Sequence, residues 1–178
     1  CMLWQVITSS TIAHEYKEIL IEYAKTTDEK NIDFVWWQGH DFSMRGMSSV
    51  ESAILSGMGH LFSFTGTDTI PAIYEMEKSY APTSLIGASV PATEHSIEML
   101  FYDYEKDSEQ EYLDRLLAQY PTGIVSMVSD GINLWKILTD LLPKNIERIM
   151  SRDGKLVIRP DSGNPVDIIC GWENKIVD

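Results

Sequence analysis

The stretch GIVSMVSDGINLWKIL, residues 123–138, sets the pattern on which the fold prediction rests. Gly123–Val128 is a short β-branched and apolar run, which is typical of a buried strand. A polar loop, Ser129-Asp130, follows it, and a helical pattern occupies 132–142 and continues to Met150. The next β-like run, Lys155–Ile158, comes directly afterwards. A strand, a crossover helix and a second strand predict a β/α unit of a parallel sheet.

The same order recurs along the chain and predicts five β/α units. The other predicted strands are Ile32–Gln38, Leu61–Phe64 and Ser84–Val90. The predicted helices are Leu3 to about Lys25, the run from the capping box Ser48-x-x-Glu51 to about Gly59, a helix to about Tyr80, a helical region 94–119 broken near Asp107-Ser108, and a last helix starting at Asn164-Pro165. We therefore expect an α/β fold: one fragment over 1–178, with a leading helix in 1–30 and five β/α units in 31–170. Closed barrels and open doubly wound sheets both fit, but a complete barrel needs more units than five.

Composition narrows the functional classes. The formal net charge of −13 argues against a nucleic-acid partner, which would require a basic face. No apolar run approaches the roughly 20 residues of a membrane span, and no signal segment opens the chain, so we expect no membrane partner. Two cysteines, Cys1 and Cys170, cannot form a disulfide framework, which favours a cytoplasmic location. Because the first residue is Cys1 and the next stretch is already structured, we expect a piece of a larger protein.

Chemically versatile side chains follow the predicted strands in all five units. They are Asp41, Arg45, Asp68, His95, Asp130, Arg159 and Asp161. The carboxyl ends of parallel strands form one rim where ligands bind, so we expect these side chains to open onto one rim. Each alone has a simpler interpretation: a helix cap for the aspartates, a salt bridge for the arginines, a structural role for His95. No phosphate-loop motif is present, so a phosphate site would need arginines, helix-start amides and Mg²⁺ held by Asp130 or Asp161.

Aromatic residues and the remaining histidines are divided between core and site. The cluster of Phe34, Trp36 and Trp37 is predicted to lie in the core, whereas Phe42 stands in a charged loop where it could stack on a flat ligand. His14 and His60 show no partner in the sequence and are interpreted as surface or core filling.

Five loops taken together resemble the nicotinamide phosphoribosyltransferase family. They are His40–Gly46, Phe64–Thr69, Ser89–Ser96, Val128–Asp130 and Ile158–Pro165, in the family's order and at similar spacing over about 33–170. The resemblance implies an incomplete type II phosphoribosyltransferase barrel that works as a homodimer. It implies that nicotinamide and phosphoribosyl pyrophosphate give nicotinamide mononucleotide and pyrophosphate in NAD salvage, with Mg²⁺ as cofactor and ATP as a coupling co-substrate.

The resemblance also implies residue roles. Phe42 would stack on the pyridine ring, Asp68 would bind the carboxamide, and Arg45 and Ser89 would line the pocket. His95 would be phosphorylated by ATP. Arg159 would lie near the ring and the ribose phosphate, and Asp161 near ribose, phosphate and metal, which makes His95, Arg159 and Asp161 the candidate catalytic residues.

The family enzyme is far longer than 178 residues, and its N-terminal region and glycine-rich phosphate loop do not match any part of this sequence. If the chain were the whole polypeptide, we would expect little or no catalysis. Two alternatives stay open: a nicotinate or quinolinate relative on the same fold, and a non-catalytic half-barrel. Asp68 bears on the first, because a carboxylate repels a carboxylate substrate while an amide can donate to it.

Overall fold

The computed structural model describes residues 3–102 and 108–171, in which helices alternate with short parallel strands. The elements are α1 (Trp4–Thr27), a 3₁₀ helix (Glu29–Trp37), β1 (His40–Asp41), a 3₁₀ helix (Ser43–Gly46), α2 (Val50–Leu61), β2 (Gly66–Thr67), α3 (Ile70–Tyr80), α4 (His95–Leu100), α5 (Ser108–Gln119), β3 (Gly123–Val128), α6 (Leu134–Lys136), a π-helix (Ile137–Leu141), α7 (Leu142–Lys144), α8 (Ile146–Met150), β4 (Gly154–Arg159) and α9 (Pro165–Cys170). The chain divides into two compact units, Cys1–Ser89 and Val90–Asp178, which are described in turn.

The first unit joins the leading helix to a small parallel sheet. The expected leading helix is confirmed as α1, and its Ala13 packs with Val35 and Phe64 in a buried cluster. A second cluster forms between α2 and α3. In the sheet β1 pairs in parallel with β2, in the register His40 with Gly66 and Asp41 with Thr67. Ala88 extends the pairing by a single parallel bridge to Gly66.

The prediction of a buried strand over Ile32–Gln38 is wrong. This run forms the 3₁₀ helix Glu29–Trp37, and β1 begins only after Gly39. A short apolar run does not by itself distinguish a buried strand from a helical segment. Within the run Val35 is buried, but Phe34, Trp36 and Trp37 are 60%, 42% and 47% exposed, so the prediction that this aromatic cluster lies in the core is also wrong.

Two further strand predictions in the first unit are corrected. Leu61 is the last residue of α2 rather than the start of a strand, because it continues the helix's buried face, and the strand follows at Gly66–Thr67. Ser84–Val90 pairs only at Ala88. The helix after β1 starts one residue later than predicted: Ser49 is its N-cap, accepting a hydrogen bond from the Ser52 amide at 3.1 Å, in place of the Ser48-x-x-Glu51 box.

The second unit is built on one longer pair of parallel strands. β3 and β4 pair in register from Gly123 with Gly154 to Val128 with Arg159, which confirms both predicted strands. Ser126 also bridges Ala92 in parallel. A buried cluster fills the space between the sheet and the helices around it; its members are Tyr112, Leu113, Leu116, Leu117, Val125, Met127, Ile137 and Leu141. This cluster fixes the sheet from which the second group of site residues projects.

The helices of the second unit follow the predicted order. α4 ends at Leu100 and α5 begins at Ser108, so the predicted break is confirmed at Ser108, while Asp107 lies outside the described residues. Asn164 caps α9 as predicted, accepting from the Val166 amide at 2.9 Å. The five predicted strands thus become four strands and two bridges in the described residues, which is a mixed α/β fold with short parallel strands. Cys170 is exposed, and Cys1 lies outside the described residues. No helix described in the structure combines the length and apolarity that crossing a bilayer requires.

Candidate active site

Asp41 anchors the loop that follows β1. Its side chain is buried, Oδ1 accepts from the Ser43 amide at 2.9 Å, and Oδ2 accepts from the Thr69 hydroxyl at 2.7 Å. Burial alone would raise the pKa of Asp41, but hydrogen bonds from Ser43 and Thr69 and the nearby His60 outweigh it, so the pKa lies below its ordinary value. An ionised, buried carboxylate therefore holds the start of the β1 loop against the start of α3.

Phe42 and Arg45 stand on the loop that Asp41 holds. Phe42 follows β1 directly and is 37% exposed. Its ring lies 4.4 Å from the His40 ring, centroid to centroid, at an interplanar angle of 34°. Arg45 is exposed on the 3₁₀ helix Ser43–Gly46. The arrangement presents an aromatic face and a guanidinium at the carboxyl end of β1.

Asp68 stands at the carboxyl end of β2 with two polar neighbours. His40 Nε2 lies 3.0 Å from Asp68 Oδ1, and the Ser89 hydroxyl donates to the same oxygen. Both contacts fall on Oδ1, so Oδ2 accepts no hydrogen bond from the described residues. The Asp68 side chain is 41% exposed. An oriented carboxylate with one available oxygen can accept a hydrogen bond from an amide N–H.

Two histidines of the first unit were not assigned to this region from the sequence. His40 contacts both Phe42 and Asp68, a role that the sequence does not predict for it. His60 was expected to have no partner, which is wrong: its Nε2 lies 2.9 Å from the Gly66 carbonyl oxygen. Burial lowers the pKa of His60, although the Gly66 carbonyl and Asp41 act in the opposite direction. His60 therefore hydrogen-bonds the backbone of β2 at Gly66.

The second unit brings His95, Asp130 and Asp161 together. His95 Nε2 lies 3.0 Å from Asp130 Oδ1, and His95 Nδ1 lies 3.9 Å from Asp161 Oδ2. Asp130 Oδ2 accepts from the Asp161 amide at 2.8 Å. The Asp130 side chain is 5% exposed, whereas those of His95 and Asp161 are 42% and 47% exposed. The buried Asp130 side chain thus contacts both other residues, whose own side chains are partly exposed.

The charge state of Asp130 follows from its donors. Burial alone would raise its pKa, but hydrogen bonds from Ser162, from the Asp161 amide and from His95 outweigh it and hold the pKa below its ordinary value. An ionised carboxylate only accepts hydrogen bonds, so His95 Nε2 carries the proton that points at Asp130. In a neutral imidazole with this tautomer, the lone pair is on Nδ1, the nitrogen on the Asp161 side.

Arg159 ends β4 and ties the sheet to the segment before α4. Its Nη2 donates to the Thr93 carbonyl at 2.6 Å and lies 3.9 Å from Glu94 Oε1. The side chain is 17% exposed, so its guanidinium is positioned by the protein. Glu94 thus contacts Arg159, while the carboxylate within hydrogen-bonding distance of the His95 ring belongs to Asp130.

The predicted strand-end residues differ in where they lie. Asp68, Asp130 and Asp161 follow β2, β3 and β4, Arg45 follows β1, and His95 follows the Ala92 bridge. Asp41 and Arg159 do not follow their strands but are the last residues of β1 and β4. The shared rim across all five loops stays a prediction. Among residues 3–102 and 108–171, no three His, Cys, Asp or Glu side chains are grouped so as to hold a metal ion.

Comparison with known families decides what these loops belong to. The profile of the nicotinate phosphoribosyltransferase (NAPRTase) family matches residues 37–178. The chain belongs to this family. The matched range includes all five loops that carry the predicted site residues.

Individual relatives carry a narrower name. A nicotinamide phosphoribosyltransferase of Acinetobacter baylyi is 46% identical over 95% of this chain and 34% of its own length. Enzymes of the same name from Mycoplasma pneumoniae and Xanthomonas campestris are 36% and 32% identical over 94% of this chain, and 34% and 36% of their own lengths. The resemblance to nicotinamide phosphoribosyltransferases is thereby confirmed. The chain spans about one third of the length of these curated relatives.

Proposed function

We propose that the whole protein containing this chain is a nicotinamide phosphoribosyltransferase. It transfers the phosphoribosyl group of phosphoribosyl pyrophosphate to nicotinamide, giving nicotinamide mononucleotide and pyrophosphate for NAD salvage. The observation that supports this most is Asp68, held through Oδ1 by His40 and Ser89, while the same His40 packs against the ring of Phe42. An aromatic ring and an oriented hydrogen-bond acceptor are what recognition of a pyridine carboxamide requires.

Asp68 also argues for the amide substrate over the acid. Nicotinamide has two amide N–H groups that can donate to Oδ2, whereas nicotinate and quinolinate bring a carboxylate that the Asp68 charge repels. The named relatives favour the same choice, since all three are nicotinamide enzymes. A nicotinate-like or quinolinate-like enzyme is therefore the second candidate.

The phosphoribosyl half of the reaction requires positive charge and orientation. Bond formation between the pyridine nitrogen and C1 of the ribose accompanies cleavage of the C1–O bond to pyrophosphate. The ribose carries oxocarbenium character at that point, and no protein nucleophile is needed. We assign Arg159 and Arg45 to the phosphates because guanidinium forks match phosphate oxygens, and Asp161 to the ribose and phosphate side. These residues orient the reactants and stabilise the departing charge.

Of the two candidate magnesium ligands, Asp161 fits the ion better than Asp130. Both oxygens of Asp130 are already engaged, by His95 and by the Asp161 amide, whereas the Asp161 carboxylate is 47% exposed. Mg²⁺ commonly binds one or two carboxylates together with substrate phosphates, so the lack of a three-residue cluster in the described segments is compatible with it. When bound, the ion neutralises pyrophosphate charge. Asp130 in turn fixes the backbone that carries Asp161.

We assign to His95 the acceptance of a phosphoryl group from ATP, which couples ATP hydrolysis to synthesis. Asp130 orients the ring through Nε2, so the Nδ1 lone pair is available to attack the γ-phosphorus of ATP while the bond to ADP breaks. Later attack by water on the phosphorus returns free His95 and inorganic phosphate. The proton on Nε2 stays hydrogen-bonded to Asp130, whose negative charge stabilises the positive charge that develops on the ring.

The sequence also suggests a location, an oligomeric state and partners for the proposed enzyme. We propose that it works in the cytoplasm as a homodimer, with nicotinamide, phosphoribosyl pyrophosphate and ATP as its small-molecule partners. The net charge of −13 favours neither a nucleic-acid partner nor an anionic membrane surface.

The test is a substrate panel on the full-length protein. Nicotinamide, nicotinic acid and quinolinic acid are each supplied with phosphoribosyl pyrophosphate and Mg²⁺, and the mononucleotide and pyrophosphate formed are quantified. We expect nicotinamide mononucleotide as the dominant product. A higher kcat/KM for nicotinic or quinolinic acid would favour the second candidate, and the absence of any mononucleotide would reject the transferase assignment.

A further inference from the structure

Glu98 is a buried acid to which the proposed chemistry gives no role. It lies in α4 and its side chain is fully buried. Oε2 accepts a hydrogen bond from the Gly131 amide at 3.1 Å, and Oε1 has no hydrogen-bond partner among the described residues. A buried carboxyl oxygen without a hydrogen-bond partner costs the fold stability, so its presence needs an explanation.

Its position connects it to the proposed phosphoryl acceptor. Glu98 follows His95 by three residues, so the two side chains share one face of α4. Gly131 directly follows Asp130 in the chain. α4 therefore contacts Asp130 and Gly131 through two hydrogen bonds. His95 contacts the Asp130 carboxylate, and Glu98 accepts from the Gly131 amide.

The shape of this contact favours glycine at position 131. A Cβ added to Gly131 would lie 2.3 Å from Glu98 Oε2 and 2.8 Å from its Cδ, closer than van der Waals contact permits. Glu98 and Gly131 are thus a matched pair, in which the acid occupies the space that any larger residue would need.

We propose that Glu98 is a positioning residue: it fixes the backbone at Gly131 and so keeps the Asp130 carboxylate on the His95 imidazole. The part of this inference that concerns phosphoryl transfer rests on the proposed function, whereas the positioning of Asp130 does not. A residue that acts through a neighbour in this way tunes the reacting group without touching substrate.

The electrostatics at this position raise the pKa of Glu98. Burial raises the pKa of Glu98, while the Gly131 hydrogen bond and His95 lower it, and Asp130 and Glu109 raise it further. A neutral carboxyl group still accepts the Gly131 hydrogen bond through its carbonyl oxygen. Glutamine preserves that acceptor and the shape, and methionine preserves only the approximate shape, so Glu98→Gln and Glu98→Met separate hydrogen bonding from packing.

The first experiment measures hydrogen–deuterium exchange in the full-length protein, at the Gly131 amide. With Glu98→Met the amide should exchange about five- to tenfold faster than in wild type, because one hydrogen bond to the protein is lost. Glu98→Gln should exchange at the wild-type rate. Wild-type protection in the Met variant, or equal loss in the Gln and Met variants, would overturn the positioning role.

The second experiment measures the ATP stimulation of nicotinamide mononucleotide formation. Glu98→Met should reduce the stimulation several-fold and Glu98→Gln should keep it. Basal transfer without ATP should stay at the wild-type rate in both variants, since the chemistry at C1 does not use His95. Wild-type ATP stimulation in Glu98→Met, or an equal loss of stimulation in Glu98→Gln and Glu98→Met, would overturn the proposed link to His95. If wild type itself shows no ATP stimulation, the proposed function fails on that point, while the exchange data still decide whether Glu98 positions the turn.

A third comparison guards against variants that simply fold poorly. Gly131→Ala should lower the melting temperature, and adding Glu98→Ala should restore part of the loss because the smaller side chain makes room for the new Cβ. Melting-temperature losses that merely add would overturn the matched-pair argument.

Discussion

Asp68→Asn in the full-length protein should erode the preference for nicotinamide over nicotinic acid. The Asp68 carboxylate is oriented by His40 and Ser89, and the substitution removes its charge with almost no change of shape. A hydrogen bond to a charged group contributes about 1.5–3 kcal/mol. Because the side chain is 41% exposed, solvent screening favours the lower end, about 1.5 kcal/mol, which corresponds to roughly a tenfold change in a rate ratio.

The assay is the ratio of kcat/KM for nicotinamide to kcat/KM for nicotinic acid, each at saturating phosphoribosyl pyrophosphate. We expect this ratio to fall about tenfold in Asp68→Asn, through a weaker amide contact and a relieved repulsion of the acid. Asp140→Asn is the matched control: its side chain is 44% exposed and pairs with Lys144 at 2.8 Å, and its ratio should not change. An unchanged ratio in Asp68→Asn would refute the assignment of Asp68 to carboxamide recognition.

Three other changes test the remaining parts of the account. His95→Ala should abolish the stimulation of mononucleotide formation by ATP while leaving measurable basal transfer, because the chemistry at C1 does not use the imidazole. The control is His14→Ala, at an exposed position of α1. Wild-type stimulation in His95→Ala would contradict the proposed phosphoryl transfer to His95. Asp41→Ala should destabilise the protein by about 3 kcal/mol, because the buried carboxylate accepts hydrogen bonds from Ser43, Thr67 and Thr69 that the substitution removes. The melting temperature should fall, whereas that of Asp33→Ala, at an exposed position, should not. A wild-type melting temperature in Asp41→Ala would contradict the anchoring role. Glu98→Gln should gain stability relative to wild type as pH rises above the ordinary glutamate pKa of 4.5. An acid whose folded-state pKa is raised binds its proton more tightly in the folded protein, so wild type loses stability over this range while Glu98→Gln does not. A melting-temperature difference between the two proteins that is the same at every pH would contradict the raised pKa of Glu98.

The elements best predicted from the sequence carry their own local signals. β3 and β4 are β-branched runs that begin at glycine and end in polar loops, and both form with the expected partner. Asn164 before Pro165 predicted a helix start, and the structure has one there. In each case the residues that decide the conformation lie within a few positions of it.

The parts that could not be predicted depend on contacts distant in sequence. The aromatic run before Gly39 has the composition of a buried strand, yet it forms a 3₁₀ helix. Of the residues in that helix only Val35 is buried, in the cluster with Ala13 and Phe64. His60 hydrogen-bonds the Gly66 carbonyl oxygen, a backbone group that no side-chain pattern reveals. The periodic spacing of α2 around His60 gives the only hint, since it places the residue on the face toward the sheet.

Glu98 illustrates the same limit for the site. An acidic residue within a six-residue helix is most simply expected to face solvent, and its burial follows only from the path of the loop after β3. The glycine at 131 is the one trace of this contact in the sequence, because it marks a place where another group approaches the backbone closely. Strand-end reasoning located the loops, but not the side chain that positions one of them.

The most direct test of the central claim is a crystal structure of the full-length protein with nicotinamide bound. The account predicts the pyridine ring stacked on Phe42 and the carboxamide nitrogen within hydrogen-bonding distance of Asp68 Oδ2. Nicotinamide bound elsewhere, or bound with its carboxamide directed away from Asp68, would contradict it.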